Sequence, residues 1–202
     1  NTLMLYVRML FSMVVSLYTS RVVLQTLGVE DYGIFNVVGG IITMFTFINN
    51  SMASSTQRYL NYELARGDEQ KLRSVFSTAL QIHCLIALLI IVLGETVGLW
   101  FLMEKLVIPE SRMTAAMWVY QCSVLTCAVG LISVPYNAVI IAHERMSAFA
   151  YIPILEVCLK LVIVFLLVIS PIDRLITYAL LFLAVQLLIR FIYTKYCHKH
   201  FE

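Results

Sequence analysis

Six stretches of mostly apolar residues fill almost the whole of this 202-residue chain and leave only short connections between them. A helix needs about 20 such residues to cross the hydrocarbon core of a bilayer, so the pattern leaves few folds open. The stretches cover 2–24, 34–60, 75–102, 113–141, 148–169 and 175–193. They predict an all-α fold, a polytopic membrane bundle of six transmembrane helices. Composition agrees, with 61% of residues hydrophobic and 13% charged, against roughly 45–50% and about 25% in a soluble domain. That balance excludes an ordinary soluble domain, a disordered tail and a polar coiled coil.

The connections carry turn signals. Residues 28–33 (GVEDYG) read as a glycine-bracketed acidic turn, 61–73 as a charged loop, and 104–112 as a mixed loop around Pro109. The hairpin at 170–174 (SPIDR) is short enough to make the last two helices antiparallel neighbours. The five cysteines, Cys84, Cys122, Cys127, Cys158 and Cys197, form no CxxC pair. Four of them lie in apolar runs, where a thiol behaves as a small hydrophobe, so no disulfide, metal or cofactor is expected. The first run is too long for a removable signal peptide, carries Arg8 and lacks a small-residue cleavage site. Because the chain starts at Asn1 and ends in a basic stretch directly after an apolar run, it reads as a piece of something longer.

The net charge of +2 is too small an excess to argue for nucleic acid. The distribution of the charges speaks to orientation instead, because Lys and Arg collect on the cytoplasmic side of a membrane. Arg58, Arg66, Lys71, Arg73, Arg145, Arg190, Lys195 and Lys199 fall on one side of the predicted bundle; Arg21, Lys105, Arg112 and Arg174 fall on the other. The bias places the N-terminus and the C-terminal tail in the cytoplasm.

Two cations, Arg8 and Lys160, remain inside spans, where a charge normally faces protein or a water-filled cavity. At helical spacing Arg8 is followed by Ser12, Ser16 and Thr19, a polar stripe on one face of the first span. Either the stripe lines a cavity, or Arg8 snorkels to lipid head groups. The second span turns polar after Ile48, with Asn50, Ser54, Gln57, Arg58 and Asn61 on one side. That half lines an aqueous vestibule or packs by interhelical hydrogen bonds. The fourth span places Ser123, Thr126, Gly130, Ser133 and Asn137 on one face, with Pro135 near its inner end. It is a kinked, moving wall or a static small-residue seam. In the fifth span Glu156 and Lys160 stand at i and i+4, the spacing of an ion pair. The pair neutralises itself, or Lys160 meets an anionic substrate while Glu156 holds it or carries a proton. Glu95, near the outer end of the third span, is a second candidate for ion coupling, although an interfacial position accounts for it equally. His83 reads as a core residue with a satisfied hydrogen bond. Loops this short hold no Gly-rich phosphate loop, HExxH, carboxylate pair or Ser/His/Asp arrangement, so no catalytic residue is expected and the chain is not read as an enzyme.

Three segments together resemble a known family: RVVLQTLGVEDYGIF (21–35), SSTQRYLNYELARGD (54–68) at the end of the second span, and AHERMSAFAYIPILEVCLKL (142–161). They are similar to bacterial polysaccharide flippases of the superfamily of multidrug, oligosaccharidyl-lipid and polysaccharide exporters. The resemblance implies a protein of about 12 to 14 helices in two related lobes around a central cavity. Residues 1–202 would be the N-terminal lobe, and the other lobe is missing from this chain. The implied cargo is an oligosaccharide on undecaprenyl diphosphate, flipped from the cytoplasmic to the outer leaflet of the bacterial inner membrane. Arg8, Arg58 and Lys160 match by location the cations that suit a diphosphate. With Ser12, Ser16, Asn50, Ser54 and Asn137 they make up the expected cavity lining. Membrane lipids, a polysaccharide polymerase and assembly proteins are the implied partners. Many drug antiporters of the superfamily place a carboxylate in the first helix, where this chain has Arg8 and no acid, which favours an anionic cargo. A cation-coupled multidrug antiporter is the alternative within the superfamily. From other classes come an integral-membrane enzyme of polyprenol-sugar metabolism and a non-transporting scaffold.

Overall fold

A computed structural model describes residues 2–44, 46–170 and 173–201, with the side chains of 6–44, 51–170 and 173–200. Among the described residues there are helices and turns but no strand. The helices are α1 (Thr2–Thr43), α2 (Thr46–Arg66), α3 (Glu69–Leu93), α4 (Leu99–Glu104), α5 (Met113–Ala142), α6 (Met146–Ile169) and α7 (Arg174–Phe201). A π-helical turn, Gly94–Gly98, joins α3 and α4 into one rod. Five helical stretches are long and apolar enough to cross a membrane: Tyr6–Thr43, Glu69–Glu104, Glu110–Ala142, Met146–Ile169 and Arg174–His200. The expectation of six such spans is met for five.

The difference lies in the second run. α1 is broken at Gly28, whose φ of 84° and ψ of 169° suit glycine and strain other residues. Before the break, Arg8 reaches Phe149 at the start of α6, and the Thr26 carbonyl accepts from Arg174 at the start of α7. After it, Asp31 meets Arg112, and Phe35 packs on Tyr178 and Phe182 of α7. α7 runs back along α6, so the chain reverses at Gly28. The expected turn at 28–33 shrinks to one glycine, with helix resuming at Val29. The returning helix stops at Thr43, and α2 resumes at Thr46. α2 then follows α5, burying Leu60 against Ala138, Val139 and Ala142. The run 34–60 is therefore two pieces, and the second carries Ser51, Ser54, Ser55, Gln57 and Arg58, too polar for a span bathed in lipid. The charged loop expected at 61–73 is likewise mostly helix. Gly67, at φ 71°, ends α2, and the Asp68 carboxylate accepts from the Lys71 N–H to cap α3.

Of the other spans, 113–141 and 148–169 fall within a few residues of expectation, whereas the third begins six residues earlier, at Glu69, and the sixth runs seven residues further, to His200. The bundle is built around α5, where 14 residues are buried, the most of any helix with a described core. α6 is more apolar but less buried: 6 of its 24 residues are buried, against 14 of 30 in α5. Hydrophobicity does not select the central helix when lipid is the solvent, whereas small residues permit close approach. α5 has Ala115, Ala116, Ala128, Ala138 and Ala142 on its buried faces. Its polar stripe is in part such a seam: Ser123 and Ser133 donate to the Val119 and Val129 carbonyls of their own helix. Gly39 lies against Ser123, and Gly130 against Gln186. The helix stays continuous through Pro135.

At the π-turn, Tyr120 of α5 is fully buried and its hydroxyl donates to the Gly94 carbonyl at 2.7 Å. The Leu99 N–H also reaches that carbonyl, five residues on. Insertion of a side-chain hydroxyl into the backbone ladder accounts for the widened turn. At the same end of the bundle, the Arg112 guanidinium binds both carboxylate oxygens of Asp31 and one of Asp173. It clasps the α1 corner to the starts of α5 and α7. Asp173 uses its other oxygen to cap α7 through Leu175 and Ile176. The opposite end gathers the α2–α3 and α5–α6 turns and the end of α7, and with them the basic residues assigned above to one side.

Candidate functional site

Of the polar residues expected inside spans, Arg8, Glu156 and Lys160 lie along α6, which packs on α1 and α7. Pro153 lies inside α6 and has no N–H to give the carbonyl four residues back, that of Phe149. Arg8 supplies the missing donor: its Nη1 lies 2.7 Å from the Phe149 oxygen, and the guanidinium rests 4.4 Å from the Phe149 ring. Two turns along α6, Lys160 Nζ is 2.6 Å from Glu156, and this half-buried ion pair is the one expected from the i, i+4 spacing. Tyr193 of α7 is buried in the same cluster as Ile152 and Ile163 of α6, with Phe149 and Leu159 packed against that cluster. The Lys160 ammonium also lies 4.7 Å from the Phe182 ring.

Phe182 is at the same time a wall of a cavity of about 380 Å³ between the returning part of α1, α5 and α7. Phe35, Asn36, Thr43, Ser123 and Thr126 are also in its mostly apolar lining, and Asn36, Thr43 and Ser123 each donate to a backbone carbonyl of their own helix. Thr43 ends the helix there, which puts the cavity beside the break between α1 and α2. Discontinuous helices are where membrane transporters build binding sites, because the break frees backbone polar groups.

The remaining candidates lie elsewhere. Ser12 is half-buried and Ser16 exposed on α1, and Ser54 and Arg58 are exposed on α2. None of the four is in the described lining of this cavity. The side chain of Asn50 lies outside the described residues. Asn137 is half-buried, and its Oδ1 is buried with no partner among the described residues. Glu95 is exposed on the π-turn and accepts from Gln121 at 3.1 Å, away from the cluster. His83 is fully buried with Nδ1 2.7 Å from the Ala79 carbonyl, the core position expected of it. No group of three or more metal-ligating side chains is present among the described residues. Sequence reasoning missed Tyr193, Phe182 and the role of Pro153. The last was legible, since a proline inside an apolar run always leaves a carbonyl in need of a donor.

The pairing of Arg8 with the Phe149 carbonyl gives a first prediction. Arg8→Met removes the donor from a carbonyl that α6 cannot satisfy and is expected to destabilise the bundle by about 1–3 kcal/mol. In a Pro153→Ala background the backbone N–H returns, and the same change should cost much less. Unfolding of the four proteins in mixed micelles measures the difference; equal costs in both backgrounds would show that Arg8 does not serve that carbonyl.

No protein-family model, curated protein or solved structure matches the chain.

Proposed function

We propose that the chain is one lobe of a membrane transporter that flips an oligosaccharide carried on undecaprenyl diphosphate for surface polysaccharide synthesis. The observation that carries this reading is the half-buried Glu156–Lys160 pair of α6, whose Lys160 ammonium lies against Phe182, a wall of the cavity between the returning part of α1, α5 and α7. Charges held at membrane depth mark transport pathways. The aromatic rings of Phe35 and Phe182 in the cavity lining suit the apolar face of a sugar ring. The Lys160 ammonium suits a diphosphate, and Glu156 holds it in place. No bond is made or broken in this reading. The lobe sits in a bacterial inner membrane with its N-terminus in the cytoplasm. The exposed Met9, Leu10, Met13 and Leu17 of α1 supply a face for the second lobe or for lipid. Glu95 stands apart from the cavity and Glu156 is neutralised by Lys160, so neither favours a cationic drug.

The test uses the full-length protein in cells that depend on it for surface polysaccharide. Lys160→Ala is expected to reduce export several-fold at unchanged membrane abundance, and Lys160→Arg to retain most of it. Undiminished export with Lys160→Ala would overturn the proposal.

A further inference from the structure

On the other side of α5, at the basic end of the bundle, lies a second cavity of about 530 Å³ enclosed by α2, α3, α5 and α7. Its basic lining is Arg73, His143 and His198, and no Asp or Glu is among its lining residues. Ser77 and Thr194 add hydroxyls, while Leu60, Leu72, Phe76 and Leu80 form an apolar wall. Tyr136 also lines it. Against the Tyr136 ring, at 4.1 Å, lies the Arg190 guanidinium, whose Nη1 is buried without a partner among the described residues. The cavity therefore has two chemistries. One part offers cations and donors, and the other offers hydrocarbon.

Its place in the fold assigns these two parts. The lining residues come from the first turns of α3, the last turns of α5 and the end of α7, where the spans end and a bilayer meets water. We infer that this cavity binds the head group of an anionic phospholipid. Arg73, His198, the Nε2 of His143 (its Nδ1 lies 2.9 Å from the Val139 carbonyl) and the Ser77 hydroxyl would receive the phosphate oxygens, with Arg190 adding positive potential behind Tyr136. The Leu60–Phe76–Leu80 wall would take the first methylenes of the acyl chains. Basic pockets between membrane helices near the interface hold lipid head groups by this combination. A free phosphate would leave the apolar wall uncovered, and a zwitterionic head group would set its own cation against Arg73. The site shares no residue with the α1–α6–α7 cluster, so it stands or falls apart from the transport reading.

The experiment is native mass spectrometry of the full chain, delipidated in dodecyl maltoside and titrated with phosphatidylglycerol, phosphatidylcholine or inorganic phosphate. Phosphatidylglycerol is expected to bind about tenfold more tightly than phosphatidylcholine, the discrimination available from one or two cations at a membrane surface. Arg73→Ala combined with His143→Ala should abolish that preference. Ser77→Trp, which fills the cavity and keeps every cation, should reduce binding of phosphatidylglycerol by a similar factor, and it decides the matter if the double variant does not fold. Equal binding of the two lipids, or phosphatidylglycerol binding unchanged in Ser77→Trp, overturns the inference. Competition by millimolar inorganic phosphate as strong as that by the lipid would make this a site for soluble anions and overturn it too.

Discussion

Gly98→Val is expected to lower the stability of the bundle by about 3 kcal/mol, the upper part of the usual range for overpacking a core. A Cβ on Gly98 would overlap the Tyr120 hydroxyl. That hydroxyl cannot swing aside, because Tyr120 is fully buried between α3 and α5 and is hydrogen-bonded to the Gly94 carbonyl. Relief therefore requires the two helices to separate, with loss of contacts along a seam that includes Ala87, Ile90, Ala128 and Leu131. The pairing of glycine and hydroxyl can be tested directly. Tyr120→Phe alone loses one hydrogen bond, about 1 kcal/mol, and opens the space that a small side chain at 98 needs. Gly98→Ala should then cost clearly less in the Tyr120→Phe background than in the wild type. Denaturation from dodecyl maltoside into increasing sodium dodecyl sulfate, followed by far-ultraviolet circular dichroism, measures all four proteins. Additive costs would show that the two residues do not share the site.

Arg112→Ala ranks second, at about 2 kcal/mol. One guanidinium holds two carboxylates from separate helices, and removing it leaves Asp31 and Asp173 facing each other without a counter-charge. A fully buried pair costs about 3–5 kcal/mol to break in this way. Here Arg112 is 24% exposed and Asp173 31%, so water recovers part of the loss. The clasp also predicts a pH dependence. Partial burial opposes ionisation of Asp173, but the Arg112 hydrogen bond, the Ile176 and Leu175 N–H groups and the guanidinium charge together outweigh it. Its pKa is therefore held below the ordinary 3.8. A depressed carboxylate contributes stability that is fully present above its unfolded value and is lost as the pH falls through its lower folded value. The unfolding midpoint of the wild type should accordingly be insensitive to Asp173 at neutral pH and fall in strongly acidic buffer. Asp173→Asn, which keeps an oxygen for the α7 cap, should show a smaller fall over that window. An equal fall in both proteins would place the acid sensitivity elsewhere.

Helix positions were legible from the apolar runs to within a few residues for 113–141 and 148–169, because a bilayer imposes one length on every span. The ion pair between Glu156 and Lys160 was legible for the same reason that i, i+4 neighbours always share a face. The break in the second pass was signalled less clearly. Gly39 and Gly40 precede it, but so many apolar residues surround them that the run reads as continuous. The burial of Arg8 against α6 could not be read at all without knowing that α1 lies beside Pro153. Nor could the π-turn, since GETVG resembles any small-residue stretch until Tyr120 is placed opposite it.

The amino-acid sequence by itself determined that this chain carries helices long and apolar enough to cross a membrane and that helix dominates its described length. Each of these follows from the cost of exposing a backbone polar group or a charge to hydrocarbon, which every residue feels in the same way wherever its neighbours lie. Only the tertiary structure decided that α5 is the hub, that Arg8 completes the backbone of another helix, and that two cavities of different chemistry flank that hub. These depend on which small side chains let helices approach. In a bilayer that contact is set by shape and by pairwise hydrogen bonds, with little help from hydrophobicity.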